Sequence, residues 1–283
     1  MKVGFVFIGY DQFTELEWTA NIIKHQWEKF ADSPIVSVLS GDPEGEFDTT
    51  NVDRHVVVPN IVTISLDYLR EHFIPATFDI SPGIGAGHYR APADGKAMES
   101  MCQSMLRNYK VGLEALFDVA DDVDVVVICE SNILLLQEEG IYNAAKEMFV
   151  NGKAMACQTV GGYDDPVVKW TGREIMPQVF MVDPGFVKRT KFLLDPVNTR
   201  PDCPEMTLLD NINVALAADN RDFETGVLNK GSRSQWGIHQ SWFPFAHLDR
   251  PVGADSNGGQ GWESREAQLS LEREVLTRFG LTV

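Results

Sequence analysis

Cysteine is scarce in this chain, with four among 283 residues. No two of the four are spaced as C-x-x-C, the pattern of zinc ribbons and redox motifs, so those classes are excluded. We interpret the four as reduced thiols of a cytosolic protein: Cys102, Cys129, Cys157 and Cys203.

Basic residues are also few. The 24 Lys and Arg side chains stand against 41 Asp and Glu, for a formal net charge of −17. Proteins that wrap long stretches of phosphate backbone depend on many cationic contacts, so this balance argues against that class. A small basic pocket stays compatible with it.

Long apolar runs are missing. The stretch from Val125 to Leu136 is interrupted by Glu130 and is shorter than the roughly 20 residues that a membrane-spanning helix needs. The apolar run at the start of the sequence ends at Ile8, too early for the core of a signal peptide. We therefore expect a cytoplasmic protein without a membrane span.

Two nucleotide and hydrolase motifs are absent. The chain has no G-x-x-x-x-G-K-[ST] sequence and no G-x-S-x-G sequence, which excludes P-loop NTPases and the nucleophile elbow of α/β hydrolases. The glycines of residues 83–88 do not have the G-x-G-x-x-G spacing. We interpret this segment as a flap beside a ligand site, with His88, Tyr89 and Arg90 near the ligand.

The composition that is present, 44% hydrophobic and 23% charged, is that of a folded globular protein. Apolar runs alternate with amphipathic segments along the first half, and this β-α-β rhythm predicts an α/β fold with a mostly parallel sheet flanked by helices. The predicted strands are Val3–Ile8, Ile35–Leu39, His55–Pro59 and Val125–Cys129, and the predicted helices are Phe13–Phe30 and Lys96–Phe117.

The second half is less regular. We expect a long loop over residues 75–95 and an irregular stretch over 161–173, with a division near residues 151–161 into halves 1–160 and 161–283 of one compact unit. A strand is predicted at Ala154–Val160, and helical patterns occur at Gln137–Val150, Phe186–Leu194, Met206–Ala218 and Ser264–Phe279.

Glu130, Ser131 and Asn132 follow the most β-branched strand of the chain. Ligand sites of open α/β sheets lie beyond the carboxyl ends of the strands, and carboxylate and amide oxygens bind hard divalent cations. A strand-terminating turn with a helix cap is the alternative for this tripeptide.

The surrounding sequence resembles a known family. Residues 108–116, NYKVGLEAL, and 124–135, DVVVICESNILL, are similar to the signature region of GT-A-fold glycosyltransferases, where a helix reading N-x-G-L-E-A-A leads to an apolar strand and a metal-binding D-x-D. Residues 7–11 and 38–42 look like that family's nucleotide-sugar entrance. The resemblance covers residues 2–160 and implies a GT-A-like, Rossmann-type sheet with an irregular acceptor-side C-terminal half.

The resemblance implies transfer of a sugar from a nucleotide-diphosphate donor to an acceptor hydroxyl, assisted by Mn²⁺ or Mg²⁺. The implied metal ligands are Glu130, Asn132 and His247, the last in competition with His239 and with a role in core packing. Since Glu-Ser-Asn replaces D-x-D, a metal-independent or inactive relative stays open.

Further roles follow from the same resemblance. Glu205 and Asp210 are candidates for the base that deprotonates the acceptor; the alternatives are a favourable first-turn charge for Glu205 and a solvent-facing side chain for Asp210. Trp170, Trp236 and Trp242 offer flat apolar faces for stacking on the acceptor, and core packing is the alternative for each. The predicted donor-binding residues are Gly9, Tyr10, Asp11, Asp42, Lys96, Lys110, Glu130, Ser131, Asn132 and Arg250, with Arg107 as a further phosphate partner. For several of them the alternative is a role in forming a turn or in a solvated helix face.

Three other functions remain open at this point. A nucleotidyltransferase would show an early G-x-G-[TS]-R loop, which Ile8-Gly9-Tyr10-Asp11 lacks. A non-catalytic sugar- or nucleotide-binding module is supported by the altered D-x-D position. A transferase acting on a modified nucleic-acid base is disfavoured by the charge of −17.

Overall fold

The computed structural model describes residues 1–9, 13–40, 47–59, 74–75, 89–90, 96–130, 133–160, 174–196, 204–220, 225–227, 241–242, 245–247 and 265–283. The strands are β1 Val3–Gly9, β2 Ile35–Ser40, β3 Arg54–Val58, β4 Ile74–Pro75, β5 Tyr89–Arg90, β6 Val125–Glu130, β7 Ile133–Leu135, β8 Met155–Val160, β9 Glu174–Val182, β10 Thr225–Val227, β11 Ser241–Trp242 and β12 Phe245–His247. The helices are α1 Phe13–His25, α2 Lys96–Val119, α3 Glu138–Val150, α4 Pro184–Thr190, α5 Pro204–Ala218 and α6 Arg265–Arg278.

Seven strands form the main sheet, in the order β10-β8-β9-β6-β1-β2-β3. The pairs β1·β2, β1·β6, β2·β3 and β8·β10 are parallel, and β9 is antiparallel to both of its neighbours. The predicted α/β class with a mostly parallel sheet is confirmed.

Helices cover both faces of this sheet, because alternate side chains of its buried strands point to opposite sides. Phe5 and Phe7 of β1 lie in one core with α1, α3 and α6, while Val6 and Ile8 lie in the other core with α2, α4 and α5. The sheet is thus the middle layer of three.

A close approach sets α2 against the sheet. A Cβ on Gly112 would overlap Val6 Cγ1 and lie 3.2 Å from Val38 Cγ2. The glycine of the N-x-G-L-E motif therefore lets the helix backbone sit directly on β1 and β2.

Four expectations about local structure need correction. Helix α1 ends at His25 and not at Phe30; Trp27 and Phe30 fill the core from turns, and because their side chains are buried either way the periodicity did not reveal the helix end. Strand β9 was not predicted, since Pro177 interrupts its sequence, and the β8·β9 register shifts between Cys157 and Thr159. Tyr89–Arg90 form a two-residue strand within the predicted loop. The helix expected over Phe186–Leu194 spans Pro184–Thr190 instead.

Both halves of the chain supply strands to the main sheet, with β1 to β8 on one side of the proposed boundary and β9 and β10 on the other. The division at residues 151–161 stays a prediction. Within the described residues, no helix combines the length and the apolar character required to cross a bilayer.

Candidate functional site

The carboxyl ends of three adjacent parallel strands meet at one edge of the main sheet. Glu130, the last residue of β6, is paired with Ile8, next to Gly9 at the end of β1. Gly9 is paired with Leu39, which precedes Ser40 at the end of β2. Neighbouring strands lie about 4.8 Å apart, so these three strand ends form one short rim, which we call the carboxyl edge.

Glu130 is positioned at this edge by strand pairing on both sides of β6, with β1 on one side and β9 on the other. The five residues before it are fully buried, and Glu130 itself is half-buried. The strand thus carries the carboxylate from the core to the surface at the place where the sheet opens.

A second, three-stranded sheet brings the C-terminal part of the chain to the same place. Strand β7 starts three residues after Glu130, and β12 pairs with it in an antiparallel register that sets His247 opposite Ile133. Opposite Cα atoms in such a pair are about 4.5–5.5 Å apart. The backbone of His247 is therefore held beside the chain segment of Glu130.

Helix α2 forms a wall of the carboxyl edge. Asn108 Nδ2 donates a 2.5 Å hydrogen bond to Ser40 Oγ, which fixes the level of Asn108 at the end of β2. Lys96 begins the helix twelve residues earlier, about 18 Å along the axis at 1.5 Å per residue. The first turns of α2 therefore project beyond the sheet.

Two side chains of α2 carry buried polar atoms that lack a hydrogen-bond partner within the described part of the chain. The Nε and Nη2 atoms of Arg107 and the Oδ1 atom of Asn108 have no hydrogen-bond partner among the residues that the structure describes. Burial lowers the pKa of the Arg107 guanidinium, because the charged form loses hydration.

The predicted base candidates both lie on α5. Glu205 stands in its first turn and Asp210 in its middle, where the Asp210 side chain is half-buried. The helix leads into β10, which runs parallel to β8, and Arg189 pairs with Asp219 at 3.0 Å beyond the helix end. Arg189 follows the end of β9 at the amino edge of the sheet, which is opposite the carboxyl edge. The end of α5 therefore lies near the amino edge, and its first turn, with Glu205, points toward the carboxyl edge.

The remaining predicted site residues fall in three groups. Lys110 forms a 4.0 Å ion pair with Glu114, one turn farther from the carboxyl edge. Trp242 lies in β11, paired with Phe245 of β12. Those outside the described residues are Tyr10, Asp11, Asp42, His88, Ser131, Asn132, Trp170, Trp236, His239 and Arg250.

A cavity of about 270 Å³ lies at the opposite, amino edge of the sheet, between the start of β6 and the start of α4. Its two carboxylates serve the fold: Asp183 accepts the Gly185 N–H at 2.8 Å, and Asp124 accepts the Lys2 N–H at 2.7 Å. The cavity is therefore not an alternative to the carboxyl edge for the predicted chemistry.

The predicted metal ligands are only partly within the described residues. Among the described residues there is no group of three His, Cys, Asp or Glu side chains that could hold one. The predicted set combines the Glu130 carboxylate, the Asn132 amide and the His247 imidazole, which are donor types that Mn²⁺ accepts. The pairing of β12 with β7 brings the backbone of His247 beside the segment that follows Glu130, and Asn132 lies outside the described residues, so the metal site stays a prediction.

The chain overlaps several solved structures at low sequence identity. No family model matches the chain, and no curated protein matches it. The structure of S. aureus TarS 1–349 in complex with UDP-GlcNAc overlaps 97% of this chain and 65% of its own, at 12% identity and a TM-score of 0.43. The 4-diphosphocytidyl-2C-methyl-D-erythritol synthase of Anaerococcus prevotii overlaps 96% of this chain and 98% of its own, at 11% identity and 0.42.

A cytidylyltransferase from Leptospira borgpetersenii overlaps 80% of this chain and 75% of its own, at 10% identity and a TM-score of 0.38. Because these identities and TM-scores are low, the function of this chain is inferred from its own residues.

Sequence reasoning did not predict the burial of Asn108 or its hydrogen bond to Ser40, and it named Arg107 only as one of several candidate phosphate partners on the helix. The N-x-x-x-G spacing was the available signal: Gly112 marks where α2 touches the sheet, and Asn108 lies one turn before it, at the level of Ser40. Its burial and its partner depend on how helix and strand are juxtaposed.

Proposed function

We propose that this protein is a glycosyltransferase that binds a nucleotide-diphosphate sugar at the carboxyl edge and transfers the sugar to an acceptor hydroxyl. The observation that carries the proposal is the convergence of Glu130, at the end of β6, with β12 and its His247, across the pairing of β12 with β7. This pairing supports the proposal because it brings the backbone of His247 beside the segment that follows Glu130, although the two residues are more than 100 positions apart in the sequence.

The donor would lie across the ends of β1, β2 and β6, the usual ligand position in an open α/β sheet. Its diphosphate would be neutralised by a divalent cation held by Glu130, Asn132 and His247, which stabilises the departing diphosphate as charge develops on it. In this arrangement Gly9, Tyr10, Asp11 and Asp42 contact the nucleoside, and Ser131, Lys96, Lys110 and Arg250 are further donor contacts.

The acceptor would approach from α5. In an inverting reaction the acceptor oxygen attacks the anomeric carbon, the bond from that carbon to the diphosphate oxygen breaks, and the acceptor proton passes to a carboxylate. Glu205 is the better placed of the two candidate bases, because its helix turn points toward the carboxyl edge while Asp210 lies more than a turn farther along α5.

Calorimetric titration tests the proposal. Wild-type protein is titrated with UDP, CDP, GDP and ADP and with nucleotide sugars, each with and without Mn²⁺. Binding of one nucleotide that strengthens with Mn²⁺ supports the proposal and identifies the donor base. Binding that ignores Mn²⁺ indicates a metal-independent transferase or a binding module, and absence of binding across the panel contradicts the proposal.

Turnover separates an enzyme from a binding module. Incubation of the bound nucleotide sugar with protein and Mn²⁺ should release free nucleotide by slow donor hydrolysis. Glu130→Gln should stop the release, while Glu274→Gln, an exposed carboxylate paired with Arg278 on α6, should not.

A further inference from the structure

His55 joins two strands of the main sheet to the segment that precedes β3. It lies opposite Ser37 in the parallel pairing of β3 with β2. Its Nδ1 atom is 2.7 Å from the Ser37 hydroxyl oxygen, and Ser37 is fully buried. The His55 ring also stacks on Phe47, with 4.5 Å between the ring centroids and 31° between the ring planes. These three side chains form one contact, which we call the histidine clasp.

The segment 47–53 leads the chain from Phe47 into β3. Its end is held by contacts outside the clasp, such as the one at 2.8 Å between the Asn51 Oδ1 atom and the His25 ring. Its beginning is held by the clasp and by an exposed hydrogen bond at 2.8 Å, which the backbone N–H of Asp48 donates to a Glu17 carboxylate oxygen. An exposed hydrogen bond competes with water, so the clasp is the stronger attachment of the beginning.

The clasp is connected to the carboxyl edge through the chain itself. Residues 41–46 join Phe47 to Ser40, the last residue of β2. Asp42, a predicted donor contact, is one of these six residues. Ser40 fixes one end of the connection and the clasp fixes the other. Release of the clasp would therefore relax the constraint on the chain that carries Asp42.

The neutral form of His55 suits this contact better than the protonated form. A neutral imidazole bonds a hydroxyl as donor or as acceptor, whereas an imidazolium can only donate, and its charge loses hydration in a half-buried place. Burial accordingly lowers the pKa of His55. Protonation is thus easier when the contact is open, so the clasp is fully stable above about pH 6.5 and weakens as the pH falls below that value.

No described carboxylate compensates a charge on His55. Its ring makes no ion pair with any residue that the structure describes. Charged side chains on the elements around it have other partners, and these contacts are Asp48 with Thr50, Glu17 with Asp48, Asp53 with Lys24, Arg54 with Asp118, and Arg273 with the Trp18 ring. A proton on His55 therefore acts on the clasp and not on a salt bridge.

We propose that the histidine clasp is a proton-sensitive switch, in which neutral His55 holds Phe47 to the sheet and protonated His55 releases it and weakens nucleotide binding at the carboxyl edge. The effect on the nucleotide rests on the proposed function, through Asp42. The switch itself rests on the geometry of the clasp.

NMR titration of the imidazoles and amide hydrogen exchange test the switch without a ligand. The double variant Ser37→Ala/His55→Phe removes both polar partners together and keeps a ring against Phe47, so it leaves no half of the hydrogen bond unpaired. Its spectrum identifies the His55 signal among the six histidines. The wild-type His55 pKa should lie below about 6.5, and Phe47→Ala, which uncovers the ring, should raise that pKa.

Hydrogen exchange reports the release itself. At pH 5.5, exchange of residues 47–50 should be faster in the wild type than in the double variant, and at pH 7.5 the two proteins should agree. Comparison at equal pH cancels the intrinsic pH dependence of amide exchange.

Titration with UDP, CDP, GDP and ADP tests the effect on binding. It is run without Mn²⁺, so that metal ligation adds no second pH dependence. Between pH 7.5 and pH 5.5 the wild type should lose about threefold more affinity for the bound nucleotide than the double variant does, a comparison that cancels the titration of the nucleotide's own phosphate. The matched control is His25→Gln, which replaces an exposed histidine at the other end of the segment and should keep the wild-type pH dependence.

The outcomes separate the switch from the proposed function. A His55 pKa at or above about 6.5, a lower pKa in Phe47→Ala, or equal exchange in wild type and double variant at pH 5.5 overturns the switch. Equal pH dependence of nucleotide binding in these two proteins overturns the effect on the nucleotide and leaves the proposed function standing. Absence of nucleotide binding at both pH values contradicts the proposed function, while NMR and exchange still decide the switch.

Discussion

His247 lies directly opposite Ile133 in the antiparallel pairing of β12 with β7. Ile133 follows Glu130 by three residues, so a segment near the C-terminal end of the chain is held beside the end of the central strand β6. This arrangement joins the neighbouring strands β6 and β7 to β12, which lies more than 100 residues farther along the chain.

Glu130→Gln should abolish donor hydrolysis and sugar transfer while leaving the fold intact. The side chain is half-buried at a strand end, and the change keeps its size while removing the charge, so the free energy of unfolding should change by no more than about 1 kcal/mol. Activity and urea unfolding of the same preparation check this. Full activity in the variant would show that the site is elsewhere.

His247→Ala should reduce the enhancement of nucleotide binding by Mn²⁺ more than binding without metal. An imidazole ligand contributes only to the metal-bound complex. Titration with and without Mn²⁺ measures the difference. The control is His25→Ala, whose ring bonds Asn51 at 2.8 Å near the end of α1; an equal loss in both variants would contradict a ligand role for His247.

Gly112→Ala should destabilise the protein by about 1–3 kcal/mol, since the added Cβ would overlap Val6 Cγ1 in a closely packed core. Chemical unfolding measures the change. The double variant Val6→Ala/Gly112→Ala should be more stable than the sum of the single effects, because the shortened side chain makes room for the new methyl group. Strict additivity would mean that another contact limits the approach.

The buried Cys157 thiol should make the protein less stable at alkaline pH. Burial raises its pKa from 9.0 to about 12, so the folded chain keeps a proton that the unfolded chain releases between these values. Unfolding is therefore increasingly favoured as pH rises through 9, by about 1.4 kcal/mol at pH 10 for this group. Urea unfolding at pH 8 and pH 10 should show a smaller difference for Cys157→Ala than for wild type.

Cys129 should behave in the same direction. Its pKa is raised by burial and, to a smaller extent, by the charge of Glu130. Neither thiol should react with a disulfide reagent in the folded protein, and both should react after unfolding. Rapid modification of the native protein would contradict their burial.

Much of the first half of the fold could be predicted because its strands are short apolar runs with few competing patterns. Val3–Ile8 and Val125–Cys129 were placed within one residue, as they are covered on both faces and need no alternation of polar and apolar residues. Strand β9 escaped because Pro177 argues against a central strand, and only its neighbours β6 and β8 make that segment extended.

The amino-acid sequence was sufficient for the α/β class and for the strand that carries Glu130, since these depend on local hydrophobic pattern. Tertiary structure alone decided that β12 pairs with β7 and that Asn108 meets Ser40 at the end of β2. Hydrogen bonds between distant segments, and the burial of Arg107 without a described partner, arise from packing that no local pattern encodes.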